Sequence, residues 1–136
     1  MKIALVVSDF NIDVTAPMLE RARRHAESLG VEVSQVVHVP GVFDMPLMIR
    51  KMLQRDDVDG VAIIGAVIKG ETLHDELICG VTARLAAELS LQFDKPVGLG
   101  VTGPGMTLMQ AMERLDNAKN AVESVFRMWR ALKPPD

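Results

Sequence analysis

The hydrophobic residues of the chain form four short aliphatic runs, and each run is followed by a longer segment with helical spacing of apolar positions. The runs are Lys2–Val7, Val31–Val39, Val58–Val67 and Val97–Thr102. The first run is aliphatic without polar alternation, which is typical of a strand buried on both faces, and Val31–Val39 is β-branched and extended. Strands alternating with helices predict a parallel sheet covered by helices on both faces. We therefore expect one α/β domain over residues 1–136, with a doubly wound (flavodoxin-like) four-stranded parallel sheet.

Four helical segments are predicted after the four strands. They cover about residues 13–29, 44–55, 75–91 and 107–132. The first is predicted to begin with Asp13 or Thr15 as its N-cap, with Pro17 in the first turn, and to end at Gly30.

The segment that follows the fourth strand carries two local signals. Residues 103–105, Gly-Pro-Gly, are predicted to end the strand, because glycine and proline interrupt regular structure. Thr107 and Gln110 have the spacing of a capping box, in which each side chain satisfies a free backbone amide. A bend is expected near Asp116 and Asn117 within the last helical segment.

Composition and charge narrow the class of protein. The length of 136 residues fits one domain, and 49% hydrophobic with 24% charged residues is the balance of a folded globular chain. With a net charge of −3, the chain lacks the overall excess of basic residues that is typical of nucleic-acid-binding proteins. No apolar run reaches the roughly 18 residues of a membrane span. Cys79 is the single cysteine, which excludes an internal disulfide and a multi-cysteine metal site. We expect a soluble cytoplasmic protein that binds neither nucleic acid nor membrane.

The apolar content is aliphatic and thioether-rich rather than aromatic. The chain has nine Met, one Trp and no Tyr, and its mean hydropathy is +0.19. Methionine fills irregular core space or adaptable interfaces. The composition therefore favours apolar surface that contacts neighbouring subunits, while an aliphatic core remains an alternative explanation.

Ligands of parallel α/β sheets bind beyond the carboxyl ends of the strands, which locates the candidate chemistry. The segments at those ends are Ser8–Asn11, Pro40–Asp44, Ala66–His74 and Thr102–Gly105. Three of them contain glycine, which lets backbone approach a ligand, and two contain phenylalanine, a platform for a flat ring. Backbone amides near helix starts favour an anion. The pattern predicts a planar polar ligand and a phosphorylated partner.

A few ionisable side chains are candidates for chemistry. His74 precedes a predicted helix and follows a glycine-containing loop, so it could carry protons near neutral pH or simply make a local hydrogen bond. His25 is predicted to be a solvated surface residue, and His38 a structural or interface residue. Lys69 fits a solvated loop better than a Schiff base. Arg114 could bind phosphate bidentately, with a surface ion pair as its alternative.

Four motifs in order along the chain carry a family resemblance. They are Asp9-Phe10-Asn11, the Val-Pro-Gly-Val-Phe-Asp-Met-Pro segment at 39–46, the Gly-Ala-Val-Ile-Lys-Gly-Glu-Thr-Leu-His segment at 65–74, and Gln-Ala-Met-Glu-Arg at 110–114. With these motifs the whole chain resembles the 6,7-dimethyl-8-ribityllumazine synthases, most closely the compact archaeal type. The resemblance implies a transferase of riboflavin biosynthesis that works without a metal or organic cofactor. Its reaction condenses 5-amino-6-(D-ribitylamino)uracil with 3,4-dihydroxy-2-butanone 4-phosphate.

The resemblance also implies a set of residues that bind the pyrimidine substrate. They are Phe10, Val42, Phe43, Asp44, Ala66, Val67, Ile68 and Leu99. Phe10 is expected to stack on the pyrimidine, and Asp44 to accept hydrogen bonds from ribityl hydroxyls. Asp44 stands where the common bacterial pattern has Glu. Leu99 stands where an aromatic residue usually closes over the pyrimidine from an adjacent subunit.

Proton transfer and phosphate binding are assigned by the same resemblance. His74 is implied as the proton carrier and Arg114 as the phosphate clamp. Glu71 and Thr72 are expected to contact the phosphate through the backbone of their loop. Lys119 is an open candidate for a second phosphate contact.

The family resemblance implies a homo-oligomer with active sites between subunits. The expected assembly is a pentamer, or twelve pentamers in a 60-subunit icosahedral shell. Two alternatives belong to the same scaffold: an archaeal-type riboflavin synthase, which dismutates two lumazines, and a non-catalytic flavin- or lumazine-binding shell protein. A flavodoxin-like binding domain is disfavoured because the first loop lacks a hydroxyl-rich phosphate cradle.

Overall fold

The predicted α/β architecture is confirmed by a computed structural model, which describes residues 1–70 and 74–135. Its elements are β1 (Lys2–Ser8), α1 (Ile12–Ser28), β2 (Glu32–Val39), a 3₁₀ turn (Val42–Asp44), α2 (Met45–Leu53), β3 (Gly60–Ile68), α3 (Asp75–Phe93), β4 (Val97–Met106), α4 (Leu108–Met112) and α5 (Asp116–Ala131). Within the described part of the chain the four strands form one parallel sheet in the order β2-β1-β3-β4.

Helices cover both faces of the sheet because the central strands are apolar on both sides. Successive residues of a strand point to opposite faces. Leu5 of β1 and Ile64 of β3 accordingly pack in one buried cluster with residues of α1 and α5. Val6 and Ile63 pack in a second cluster with residues of α2 and α3. Burying each such side chain contributes about 1.5–3 kcal/mol.

The first helix begins earlier than its sequence predicts. Asn11 is the N-cap residue in a left-handed conformation (φ 65°, ψ 45°), so Pro17 lies inside α1 rather than in its first turn. The predicted caps were wrong because Asn11 adopts this conformation and its carbonyl accepts the amides of Val14 and Thr15. The predicted end is confirmed: Gly30 has φ 72°, and its amide bonds to the carbonyl of Glu27.

The fourth strand does not end at the Gly-Pro-Gly segment. Thr102 pairs with Ala66 and Met106 pairs with Ile68, so three residues of β4 bow outward opposite the single Val67 of β3. The strand then rejoins the sheet, because the amide of Lys69 donates to the Met106 carbonyl at 2.7 Å. This bond joins residues far apart in the chain, and the local composition of the segment does not encode it.

The last helical segment is divided, as the predicted bend suggested. α4 begins with the expected capping box: the Gln110 amide donates to Thr107 Oγ1 at 3.1 Å, and the Thr107 amide donates to Gln110 Oε1 at 3.0 Å. A turn over residues 113–115 separates α4 from α5. Arg114 lies in this turn.

Candidate active site

A cleft of about 190 Å³ opens at the carboxyl edge of the sheet. The chain passes from β1 outward to β2 and then returns across β1 to β3, so the strand order reverses between β1 and β3. Ligands of doubly wound sheets bind at such a switch point. The cleft is lined by Phe10, Gly41, Val42, Phe43, Ala66, Val67, Ile68 and Ile78. Six of the eight residues expected to bind a pyrimidine thus lie together.

Phe10 presents its ring to the cleft from a short loop whose backbone is tied to the next strand end. The Asp9 amide donates to the Val39 carbonyl at 2.8 Å, and the Phe10 amide donates to the Pro40 carbonyl at 2.9 Å. The side chain of Phe10 is nevertheless 60% exposed. A rigid backbone with an uncovered ring suits stacking on a flat heterocycle, since little conformational freedom is lost on binding.

The 3₁₀ turn after β2 forms another side of the cleft. Val42 is buried, and its carbonyl accepts a hydrogen bond from Thr82 of α3 at 3.3 Å, while Phe43 is 63% exposed. Asp44 is exposed beside the cleft, and its Oδ2 accepts the Gly41 amide at 3.0 Å. That bond orients the carboxylate at the turn, where it can meet hydroxyl groups of a bound molecule.

His74 is exposed and lies one helical turn from the cleft wall. It is the N-cap residue of α3, and its carbonyl accepts the amide of Ile78, which lines the cleft, at 2.9 Å. Ile78 was not identified from the sequence, although its position four residues after His74 places both on one side of the helix. Glu71 and Thr72, the expected phosphate contacts, lie outside the described residues.

Leu99 and Arg114 lie elsewhere on the same chain. Leu99 is 55% exposed on the edge strand β4, where it lines a second depression of about 300 Å³ together with Cys79 and Val101. Arg114 is exposed, and its Nη1 donates to the Gln110 carbonyl at 3.0 Å. Lys119 belongs to a third, shallow depression between α1 and α5.

The two remaining histidines have contrasting environments. Nδ1 of the half-exposed His38 lies 2.8 Å from an Asp9 carboxylate oxygen, in keeping with the structural role predicted for it. His25 corrects the prediction of a solvated residue. Its side chain is only 14% exposed, and its Nε2 lies 3.7 Å from Glu123 of α5. The interhelical packing of α1 on α5 covers it.

Cys79 has the properties of a packing residue. Burial raises the pKa of its thiol above the ordinary value, and the nearby Asp75 carboxylate raises it further. Across the described residues, no group of three His, Cys, Asp or Glu side chains could hold a metal ion. No helix in residues 1–70 and 74–135 is long and apolar enough to cross a membrane.

The fold is that of a doubly wound α/β protein with a cleft at its topological switch point. The particular family follows from comparison with known proteins. A family model described as 6,7-dimethyl-8-ribityllumazine synthase matches residues 1–133, and the chain belongs to this family.

Curated relatives named 6,7-dimethyl-8-ribityllumazine synthase match nearly the whole chain. A protein of Picrophilus torridus is 53% identical over 133 residues, covering 98% of both chains. One from Methanothermobacter thermautotrophicus is 49% identical, covering 98% of this chain and 96% of its own. One from Methanocaldococcus jannaschii is 51% identical, covering 98% and 94%.

Proposed function

We propose that this chain condenses 5-amino-6-(D-ribitylamino)uracil with 3,4-dihydroxy-2-butanone 4-phosphate to 6,7-dimethyl-8-ribityllumazine, releasing phosphate and water. The observation that carries the proposal is the family match over residues 1–133. The cleft at the switch point supports it, because residues from three strand ends converge there. The alternative of lumazine dismutation is not favoured, since the relatives that match are named as the synthase.

The pyrimidine substrate is assigned to the cleft between Phe10 and the end of β3. The exposed ring of Phe10 offers its face for stacking, and the backbone of residues 66–68 offers amide and carbonyl groups to the polar edge of the pyrimidine. The ribityl chain then runs along the turn of Val42 and Phe43 toward the Asp44 carboxylate. Asp44 accepts hydrogen bonds from ribityl hydroxyls in this arrangement.

His74 is assigned the proton transfers. The amino group of the pyrimidine attacks the ketone of the second substrate, and the resulting carbinolamine loses water to give an imine. Phosphate is then eliminated, and the ribityl-bearing nitrogen attacks the remaining carbonyl, which closes the second ring with loss of a second water. Each step moves a proton between held reactants, and a positioned imidazole contributes roughly 10²–10⁴-fold to such steps. Holding both reactants in place contributes up to about 7–11 kcal/mol in well-oriented cases.

Arg114 is assigned to the phosphate of the second substrate, together with the loop that contains Glu71 and Thr72. A guanidinium has five N–H donors, and the bond to Gln110 involves Nη1 alone. The remaining donors suit bidentate recognition of a phosphate.

The working enzyme is proposed to be a cytoplasmic homo-oligomer, a pentamer or a 60-subunit shell, with each site completed by a neighbour. The cleft of one chain, about 190 Å³, is smaller than the roughly 300–1,000 Å³ of typical ligand pockets. Large apolar side chains such as Leu99 and Met109 are exposed on the same chain. A neighbour that contributes Leu99 over the cleft would enlarge the site and cover this apolar surface.

A fluorescence assay with both precursors tests the function. Lumazine should form only when both are present, and incubation with lumazine alone should yield no riboflavin. His74→Ala should lower turnover by one to several orders of magnitude with the assembly mass and thermal unfolding unchanged, and added imidazole should restore part of the rate. Riboflavin formed from lumazine alone would support the dismutase. Lack of any product from both precursors would contradict the proposed reaction.

A further inference from the structure

Asn11 joins the ends of β1 and β3, which both line the cleft. Its side-chain amide donates to the carbonyl oxygen of Ala66 at 2.9 Å, and the bond is partly buried. The carbonyl can only accept, so the amide nitrogen of Asn11 must face it. Phe10, the residue before Asn11, and Ala66 both line the cleft.

The side chain of Asn11 does not make the hydrogen bond that an asparagine usually makes at the start of a helix. An asparagine N-cap normally accepts a hydrogen bond from an amide of the first turn, which stabilises a helix by about 1 kcal/mol. Here no side-chain cap is made, and the backbone carbonyl of Asn11 alone accepts the amides of Val14 and Thr15. The left-handed backbone at φ 65° directs the side chain across the switch point instead.

This bond continues the contact between β1 and β3 past the end of their backbone pairing. The pairing ends with Val7 opposite Ile64, two residues before Ala66. On its other side, β3 loses regular register with β4 between Ala66 and Ile68. Asn11 therefore fixes the end of β3 at the point where the ladders on both sides weaken.

We infer that Asn11 is a positioning residue specific for the pyrimidine substrate. It sets the position of the Phe10 ring relative to the backbone of residues 66–68, the groups that would meet the face and the polar edge of the bound pyrimidine. The inference rests on the proposed function, since it names which of the two substrates responds. The phosphate substrate is held by other groups, so its binding should not depend on this bond.

Two variants distinguish the role of the Asn11 side chain from an effect of its left-handed backbone conformation. Asn11→Asp keeps the shape of the side chain and its tolerance of positive φ, but it replaces the amide donor with acceptor oxygens. Asn11→Gly keeps access to the left-handed conformation and removes the side chain. Asp94→Gly is the matched control, because Asp94 also has positive φ (52°) and lies at the C-terminal end of α3, before β4 begins.

Steady-state kinetics in both substrates is the test, performed on the assembled full-length protein. Both Asn11 variants should raise KM for the pyrimidine about tenfold or more, with KM for the butanone phosphate and kcat within about twofold of the wild type. Asp94→Gly should change neither KM. Titration calorimetry with the pyrimidine alone should show the same loss of affinity.

Three results would overturn the inference. Unchanged kinetics in both variants would do so, as would an equal rise of both KM values accompanied by a lower Tm, which is the signature of a purely structural role. A wild-type protein that forms no lumazine would contradict the proposed function, and the inference with it. If the wild type is active and the variants are unaffected, only the inference is contradicted.

Discussion

The Asp75 carboxylate accepts a hydrogen bond from the Gly105 amide at 3.1 Å. This contact joins the first turn of α3 to the outward bow of β4. His74 directly precedes Asp75, so the bow in an edge strand helps to fix the position of His74 at the start of α3. A carboxylate in the first turn is also favoured by the helix dipole.

Replacing Asp75 should therefore affect turnover through His74. Asp75→Ala removes a charge-assisted hydrogen bond of about 1.5–3 kcal/mol, and a comparable misplacement of His74 would lower kcat roughly tenfold or more. Asp75→Asn retains an acceptor for Gly105 and should stay within about threefold of the wild type. Equal rates for the alanine variant and the wild type would show that His74 is positioned by other contacts.

Arg114 should govern affinity for the phosphate substrate. Arg114→Gln removes a charged partner worth about 1.5–3 kcal/mol, so KM for the butanone phosphate should rise about 10–100-fold. Affinity for the pyrimidine, measured by calorimetry, should be unaffected.

Arg24→Gln is the control for a general loss of positive charge. Arg24 is exposed on α1 and paired with Glu20 at 2.9 Å. If both variants weaken phosphate binding equally, the effect of Arg114 is long-range electrostatics and not a clamp.

Leu99 should control assembly. Leu99→Asp places a charge within the 300 Å³ apolar depression on β4, where a neighbouring subunit would have to desolvate it. Light scattering should then report a lower mass than that of the wild type. Leu91→Asp, at a leucine that is 79% exposed near the end of α3, should retain the wild-type mass. A Leu99→Asp protein with unchanged mass would exclude this depression from the subunit contact.

The sequence predicts the sheet well because its central strands are unambiguous. Val6 and Leu5 point to opposite faces, yet both are apolar, which is typical of a strand whose sheet is covered by helices on both faces. Parallel strands also bring their carboxyl ends together, so Phe10 and Ala66 could be placed in one cleft from chain order alone.

The features that the sequence does not predict depend on single long-range contacts. The outward bow of β4 is held by the hydrogen bond from the Lys69 amide to the Met106 carbonyl. It also requires a residue without a side chain at position 103, which Gly103 provides. A Cβ at Gly103 would lie 2.8 Å from the Val67 carbonyl, and its φ of 133° favours glycine. The start of α1 depends in the same way on Asn11, whose side chain bonds to Ala66 rather than to its own helix. Local propensity carries no information about such partners.

The Arg21–Asp116 pair between α1 and α5 should make stability depend on pH at the acid end. Arg21 Nη1 donates to Asp116 Oδ1 at 2.8 Å, and this bond holds the pKa of the Asp116 carboxyl below its ordinary value. A carboxylate whose pKa is depressed on folding contributes stability above its unfolded pKa, and the contribution is lost as the pH falls through the folded pKa. Asp116→Asn should therefore lower Tm slightly at neutral pH, because both partners are half-exposed, and the difference from the wild type should vanish in acid. Thermal melts of the wild type, Asp116→Asn and Arg21→Gln, recorded from neutral to acid pH, check the prediction. A difference that persists below the folded pKa would assign the loss to packing between the helices instead of to the ion pair.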